Sequence, residues 1–466
     1  MKIAVCNGSP KGEKSITLQH IKYLEKRFTK IDFVIFNIAK QISKLEKDAK
    51  YFDTFMVEIG NADAVIWSFG LWVLSVPAQM LRFFELIQER GMTSLLKDKY
   101  TGILSTSIHY FDNCARDTVW GICEDFGMQV ADAICFHMDD IRQVSQQQNL
   151  EQFGLNIIRA VGEKQTFSRR YHLLEQLGFK YKPSLLETKI SVKGKRILIL
   201  KDSSDPDTNL AKMIAAFQNC FTEAIEVIDL NDIDIKGACM GCMKCGYDYT
   251  CVYKDGFTEF YNKMVRSADI IVHAGQMKGR YLSSLWKTFF DRAFFWNHTP
   301  SLQGKQLAYL ISGPISQNEN LVQVLEAQAQ ARQHASHAGI VSDEVGDSKL
   351  LSQQIFTLAQ RLVTFSEAAY IRPETFLGTG GWMIFRDEIY SGIRMVWQAD
   401  HRYYRQHGYY NFPNKNIFRK WTMDVFSVFV RIPAFRKKFY GMLNDVPIKR
   451  MDGKKIAEAA KDRPIY

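Results

Sequence analysis

Short, nearly unbroken apolar runs alternate with longer amphipathic stretches over most of the chain. KIAVC near the start, Asp32-Phe-Val-Ile-Phe, Ala62-Asp-Ala-Val-Ile and the ILSTS that follows Lys99 are β-rich runs. Between them, Thr17-Leu-Gln-His-Ile-Lys-Tyr-Leu-Glu-Lys carries apolar residues at helical spacing. Continuous apolar strands separated by helices predict a parallel sheet covered on both faces.

The pattern occurs twice. KRILILKDSSDPDT, from Lys195, repeats the opening KIAVCNGSPKGEKS, with Ser203 opposite Ser9 at an offset of 194. Glu226-Val-Ile-Asp-Leu-Asn231 keeps that offset from Asp32–Asn37. From Ala268-Asp-Ile-Ile-Val onward the offset is 206, and Thr288-Phe-Phe-Asp291 and Lys305 hold it. The register therefore changes once, between Asn231 and Ala268, where four cysteines fall within 13 residues, Cys239 to Cys251. Internal repeats of this length indicate a duplicated domain. The expected organisation is an α/β domain over 1–165, a connector with one helix over 166–194, a second α/β domain over 195–372, and an aromatic, basic extension over 373–466.

Composition excludes several classes. With 46% hydrophobic and 24% charged residues, the chain has the make-up of a globular protein rather than a disordered one. Nine Cys in 466 residues are too sparse for a disulfide-stapled scaffold. No apolar run approaches the ~20 residues that cross a bilayer. MKIAVCNGSP lacks the basic and long apolar regions of a signal peptide. A cytoplasmic location is expected, where clustered Cys read as metal ligands or redox groups. The net charge of +10 resides in residues 401–466, which hold 15 Lys+Arg against 5 Asp+Glu.

Ligands of open parallel sheets sit at the carboxyl ends of the strands. There, Gly8-Ser9-Pro10-Lys11-Gly12-Glu13-Lys14-Ser15-Ile16-Thr17 leads from the first strand into the first helix. Its hydroxyls and the free N–H groups of the helix start favour an anion. No P-loop Gly-Lys-Ser/Thr and no GxGxxG after a strand are present, which disfavours an ATPase or a dinucleotide Rossmann site. Trp72 and the segment Ser105-Thr106-Ser107-Ile108-His109 fall at strand ends on the same rim. Trp72 suits stacking on a planar ring, and His109 is the candidate catalytic residue.

Each copy resembles the NADPH-dependent FMN reductase branch of the flavodoxin-like superfamily. NGSPKGEKS, ADAVIW…SVPAQMLRFFE and SADIIV…SSLWKTFFDR carry the likeness, over roughly residues 1–160 and 195–370. The resemblance implies two tandem flavodoxin-like, doubly wound parallel-sheet domains. It also implies FMN as cofactor and NAD(P)H as electron donor. Ser9, Pro10, Lys11, Ser15 and Thr17 would hold the phosphate, and Trp72 with Ser105, Thr106 and Ser107 the ring. The second copy departs from the family pattern, with Asp202 in place of the loop Gly and Asp205 where a basic residue is usual.

Cys239-x2-Cys242-x2-Cys245-x5-Cys251 is a compact thiol run. Soft thiolates at such spacing suit an iron–sulfur cluster; structural zinc, usually held by more widely separated pairs, and unligated thiols are the alternatives. The second copy is also similar to the family's iron–sulfur flavoproteins, which have a compact cysteine run after strand two and an Asp shortly beyond, as Asp255 is here. That similarity implies a four-iron four-sulfur cluster near FMN. The other five Cys lack ligand spacing.

The expected function is a flavin-dependent oxidoreductase passing electrons between NAD(P)H, FMN and the cluster to a small-molecule or protein acceptor. The alternative is a non-catalytic electron-transfer or scaffold subunit. Residues 415–443 mix aromatics with Arg and Lys and suit docking on the duplicated core, an anionic membrane surface or an acidic protein. Nucleic acid is not expected, and homo-oligomerisation stays open.

Overall fold

In the computed structural model, residues 1–175, 178–184, 188–411 and 417–442 are described. The first repeat contains strands β1 (Lys2–Asn7), β2 (Asp32–Phe36), β3 (Ala64–Gly70), β4 (Tyr100–Ser107) and β5 (Gln129–His137). Its helices are α1 (Ile16–Arg27), α2 (Ile38–Lys47), α3 (Ala49–Gly60), α4 (Ala78–Glu89), α5 (Asp112–Asp125) and α6 (Val144–Glu163). The strands form one parallel sheet in the order β2-β1-β3-β4-β5. This is the flavodoxin-like order, with a switch point between β1 and β3. The apolar runs read from the sequence are buried strands: Ile3, Ala4, Val5, Val65, Ile66 and Ile103 are at most 1% exposed.

The second repeat has β6 (Ile197–Lys201), α7 (Asn209–Asn219), β7 (Glu226–Asp229), a short α8 (Phe257–Phe260) and β8 (Ile270–Lys278). These are followed by β9 (Tyr281–Leu282), α9 (Ser284–Arg292), β10 (Gln306–Ser312), α10 (Glu319–Ala327), β11 (Ser336–Ser342) and α11 (Ser348–Glu367). The parallel order β7-β6-β8-β10-β11 repeats that of the first sheet, and β9 adds an antiparallel partner to β8. Between β7 and β8 no helix stands where α2 does; the cysteine loop fills that interval. The 12-residue register change is thus the net of a helix replaced and a longer loop gained.

A pseudo-twofold arrangement joins the repeats. Glu85 of α4 accepts hydrogen bonds from the backbone N–H and hydroxyl of Ser284, the first residue of α9, both at 2.5 Å. Asp291 of α9 accepts from the N–H of Ala78, the first residue of α4, at 3.0 Å. Ala78 and Ser284, and Glu85 and Asp291, are each 206 residues apart, so each repeat caps the other's helix with the equivalent carboxylate. Helix starts carry unsatisfied N–H groups and a partial positive charge, which is why a carboxylate suits them. Nearby, Asn320 Nδ2 of α10 donates to the carbonyl of Cys114 in α5, its own counterpart at 206, at 3.1 Å. Such reciprocal contact is the mark of an isologous interface.

Two sequence expectations need correction. The connector over 166–194 holds no helix among its described residues. Instead it is pinned in extended form, with Arg169 paired to Asp125 at 2.8 Å and the Arg170 and Tyr171 N–H groups donating to Glu124. The first 30 residues of the stretch from 373 fold with the repeats: α12 (Phe376–Ser391) buries Arg386 and Ile389, and this compact unit ends at Arg402. α13 (Gln398–Gln406) crosses that limit. Beyond it, α14 (Ile417–Val430) packs on α15 (Pro433–Met442), with Phe418, Trp421, Phe429 and Ile432 exposed. Residues 412–416 and 443–466 lie outside the described residues, so the 415–443 surface is seen only from 417 to 442. Among the described residues, no helix is long and apolar enough to cross a membrane.

Candidate functional site

The loop after β1 is shaped by Asn7, whose buried amide donates to Asn37 Oδ1 at 2.8 Å and whose Oδ1 accepts from the Ser9 N–H at 3.2 Å. Ser9 Oγ accepts from the Lys11 N–H at 3.3 Å. Ser15 caps α1, its Oγ accepting from the Leu18 N–H at 3.4 Å. The Thr17 and Thr106 hydroxyls meet at 2.6 Å, which ties this loop to the end of β4. Gly8 packs closely on Met80: a Cβ there would stand 2.3 Å from its Sδ, so the Met80 side chain would have to move.

These elements enclose a cavity of about 170 Å3, measured as the space open to water centres. Ser9, Pro10, Lys11, Ser15, Thr17, Trp72, Thr106 and Ser107 all line it. Ser105 and His109 do not. Ser105 is buried and donates to Cys135 Sγ at 3.0 Å. His109 is half exposed and pairs with Asp112 at 2.7 Å.

Trp72 stands on a strained turn. It exchanges backbone hydrogen bonds with Ser75, and the two residues between, Val73 and Leu74, have φ of 38° and 67°. Such a turn normally takes Asn and Gly, so a β-branched Val there is held against its preference. The restraint comes from the second repeat. Lys287 of α9 is fully buried, pairs with Asp291, and donates to the Trp72 carbonyl at 2.8 Å. Burial lowers Lys287 and raises Asp291 to about 6, and each shift is partly offset by the attraction of the other group.

The remainder of the cavity wall was not foreseen from the sequence. Phe294, His298 and Arg332 enter from the second repeat, and Phe385, Ile393 and Trp397 from the segment after it. His298 Nδ1 meets Asp400 Oδ2 at 2.7 Å, and its ring stacks on Phe385 with centroids 3.6 Å apart. Burial lowers His298 and raises Asp400, each partly offset by the other. No local signal marks these residues, because they meet the loop after β1 only through tertiary packing. No carboxylate lines this cavity, whereas Lys11 and Arg332 do.

The counterpart in the second repeat is electrostatically the reverse. A cavity of about 230 Å3, by the same measure, is lined by Thr208, Asn209, Asp343 and Glu344, with no Lys, Arg or His. Connector residue Phe179 lines it too, and its carbonyl accepts from Asn209 Nδ2 at 2.9 Å. Thr208 caps α7, and its hydroxyl donates to the Asp205 carbonyl at 3.0 Å. Asp202 accepts from the Ser283 hydroxyl at 2.5 Å, yet burial pushes its pKa up to about 6. Its carboxylate form is therefore penalised in the folded protein. That penalty is absent below about pH 4, grows between 4 and 6, and is complete above 6. Asp202→Asn is expected to leave stability at pH 4 nearly unchanged and to raise it at pH 7 by about 3 kcal/mol. Denaturant titrations at the two pH values check this; an equal effect at both would exclude burial as the cause.

The cysteine loop lies against the first repeat. Cys239, Cys242, Cys245 and Cys251 line one small cavity, and Trp72, Met243 and Phe294 belong to both its wall and that of the first repeat's cavity. A Cβ on Gly241, which has φ of 64°, would meet the Trp72 ring at 2.7 Å. Gln79 Nε2 of α4 donates to the Cys239 carbonyl at 3.1 Å. Arg292 clamps both ends of the loop: it donates to the Gly237 carbonyl at 2.8 Å and, in bidentate fashion, to Asp255 at 2.8 and 2.9 Å. Asn297 Nδ2 holds the Cys245 carbonyl at 2.9 Å. Burial raises the Cys239 thiol to about 11 and the Cys245 thiol to about 12. Among the described residues, no group of three or more His, Cys, Asp or Glu is arranged to hold a metal ion.

The model of the NADPH-dependent FMN reductase family matches residues 1–137 and again 196–346. The chain belongs to that family, in tandem duplication: it is a flavin-dependent oxidoreductase that uses FMN and NAD(P)H. Solved structures similar to it include general stress protein 14 of Treponema denticola in complex with FMN. That likeness has 11% identity, covers 35% of this chain and 99% of that one, and has a TM-score of 0.27. An NADH:FMN oxidoreductase in apo form is similar at 14% identity, over 34% and 89% of the chains, with a TM-score of 0.28. FerB, an NAD(P)H:(acceptor) oxidoreductase of Paracoccus denitrificans, is similar at 17%, over 34% and 97%, with a TM-score of 0.28. A search of curated proteins gave no match.

Proposed function

We propose that one FMN is held in the cavity of the first repeat and that the four-cysteine loop holds a four-iron four-sulfur cluster beside it. The observation that carries this reading is the shared wall. Trp72 borders both the hydroxyl-lined loop at the start of α1 and the cavity of the four thiols. Ser9, Pro10, Lys11, Ser15 and Thr17 offer the phosphate a hydroxyl-rich, cationic cradle at a helix N-terminus. Trp72, Thr106 and Ser107 offer the ring an aromatic face and polar edges. The second repeat, with carboxylates in the equivalent wall, does not suit a phosphate. His109 stands outside the wall of this cavity.

FMN, when bound, supplies acceptance of two electrons and their release one at a time; a cluster supplies one-electron transfer. This chain's residues bind and orient. The Lys287–Asp291 pair fixes the Trp72 turn, and Arg292 closes the loop that presents the thiols. The compact Cys-x2-Cys-x2-Cys spacing favours iron–sulfur over structural zinc, whose Cys pairs usually stand further apart in sequence.

Iron, sulfide and zinc analysis of anaerobically purified full-length protein tests the ligand. About four irons per chain are expected; stoichiometric zinc without iron would sink the cluster. Cys242→Ala should abolish the broad visible absorption of the cluster while the flavin bands remain.

A further inference from the structure

We infer that Arg332, supplied by the second repeat, is the charge that favours the reduced, more negatively charged form of the flavin held by the first. The inference rests on the FMN reading above. Arg332 lines the same cavity as Ser9, Lys11 and Trp72, and is only 4% exposed. Its two terminal nitrogens donate to neutral acceptors, the carbonyls of Asn297 and of Ala293, the latter at 3.1 Å. Its Nε is buried and has no hydrogen-bond partner among the described residues. No carboxylate lines the cavity, and Asp400, which acts on Arg332 through space, is already engaged by His298.

A guanidinium stays protonated in proteins, so this is a permanent positive charge sealed in the wall of a pocket. Burying a cation without a paired anion is costly, and a ligand that gains negative charge relieves the cost. Reduction by NAD(P)H transfers a hydride, two electrons with one proton, and oxidised nicotinamide leaves. Until a further proton arrives from water, the ring carries one more negative charge than before. In surroundings of low dielectric, the Arg332 charge acts on that difference several-fold more strongly than it would in water.

The midpoint potential of bound FMN, followed at the flavin band against a reference dye at pH 7 with no acceptor present, measures the effect. Full-length wild-type protein is expected to bind reduced FMN more tightly than oxidised FMN, which places the bound potential above that of free FMN. Arg332→Gln is expected to lower the ratio of the two affinities about tenfold, a shift of about 30 mV for two electrons. Arg332→Lys should keep most of the wild-type ratio. A wild-type potential at or below that of free FMN overturns the inference even if no variant folds. So does an unchanged ratio in an FMN-loaded Arg332→Gln protein, which would fit a cation serving an anionic acceptor instead. Wild-type protein that takes up no FMN would overturn the flavin reading, and this inference with it.

Discussion

Lys287→Met is expected to destabilise the full chain by about 3–5 kcal/mol, the usual cost of leaving one member of a buried ion pair alone. Lys287 and Asp291 are both fully buried, so neither charge can turn to water. Removing the lysine strands the Asp291 carboxylate, whose remaining partner is the Ala78 N–H. It also frees the Trp72 carbonyl, and with it the turn in which Val73 and Leu74 hold positive φ. FMN affinity should fall along with stability, because Trp72 lines the cavity. The double variant Lys287→Met/Asp291→Leu removes both charges and should recover much of the stability without restoring FMN affinity. Denaturant unfolding and flavin titration separate the two effects. A single variant within 1 kcal/mol of wild type would show that the pair is not buried in solution.

Ser9→Asp is expected to weaken FMN binding at least a hundredfold with little change in stability. Ser9 lines the cavity at the start of α1, in a wall that contains no carboxylate. An added carboxylate about 4 Å from a phosphate costs about 4 kcal/mol per charge pair at an effective dielectric of 20. Ser9→Ala is the control: it removes one hydroxyl and should cost about 1 kcal/mol. Equilibrium dialysis against FMN reads both. Retention of full FMN by Ser9→Asp would move the phosphate elsewhere.

The repeat, the parallel sheets and the loop after β1 were legible because each leaves a local trace. Fully buried strands must be continuous apolar runs, and the offset of 206 survives through α4 and α9 because these helices build the contact between repeats. The cysteine spacing was equally plain. The connector, expected to hold one helix, shows none among its described residues, because its conformation is set by partners distant in sequence, Glu124 before it and Ser352 after it. His298, Arg332, Asp400 and Trp397 could not be read at all. His298, Arg332 and Trp397 line the cavity and Asp400 stands behind His298, and only tertiary packing brings them to a loop formed by residues 8 to 17. Ser105 and His109 illustrate the converse: they adjoin Thr106 and Ser107 in sequence but stay outside the cavity wall, Ser105 bonded to Cys135 deeper in the sheet and His109 paired with Asp112 beyond the end of β4.

The reciprocal caps of Glu85 and Asp291 have a further consequence. Two separate copies joined in that way would pair only above their dissociation constant, and any substitution would appear in both halves. Joined in one polypeptide, the halves face each other at an effective concentration that dilution cannot lower. A pocket whose floor belongs to one half and whose roof to the other therefore stays whole however scarce the protein is. The same linkage frees each half to change alone. One rim could keep a hydroxyl-lined loop beside Lys11 while the other took a loop of thiols in place of a helix and lined its own cavity with acid.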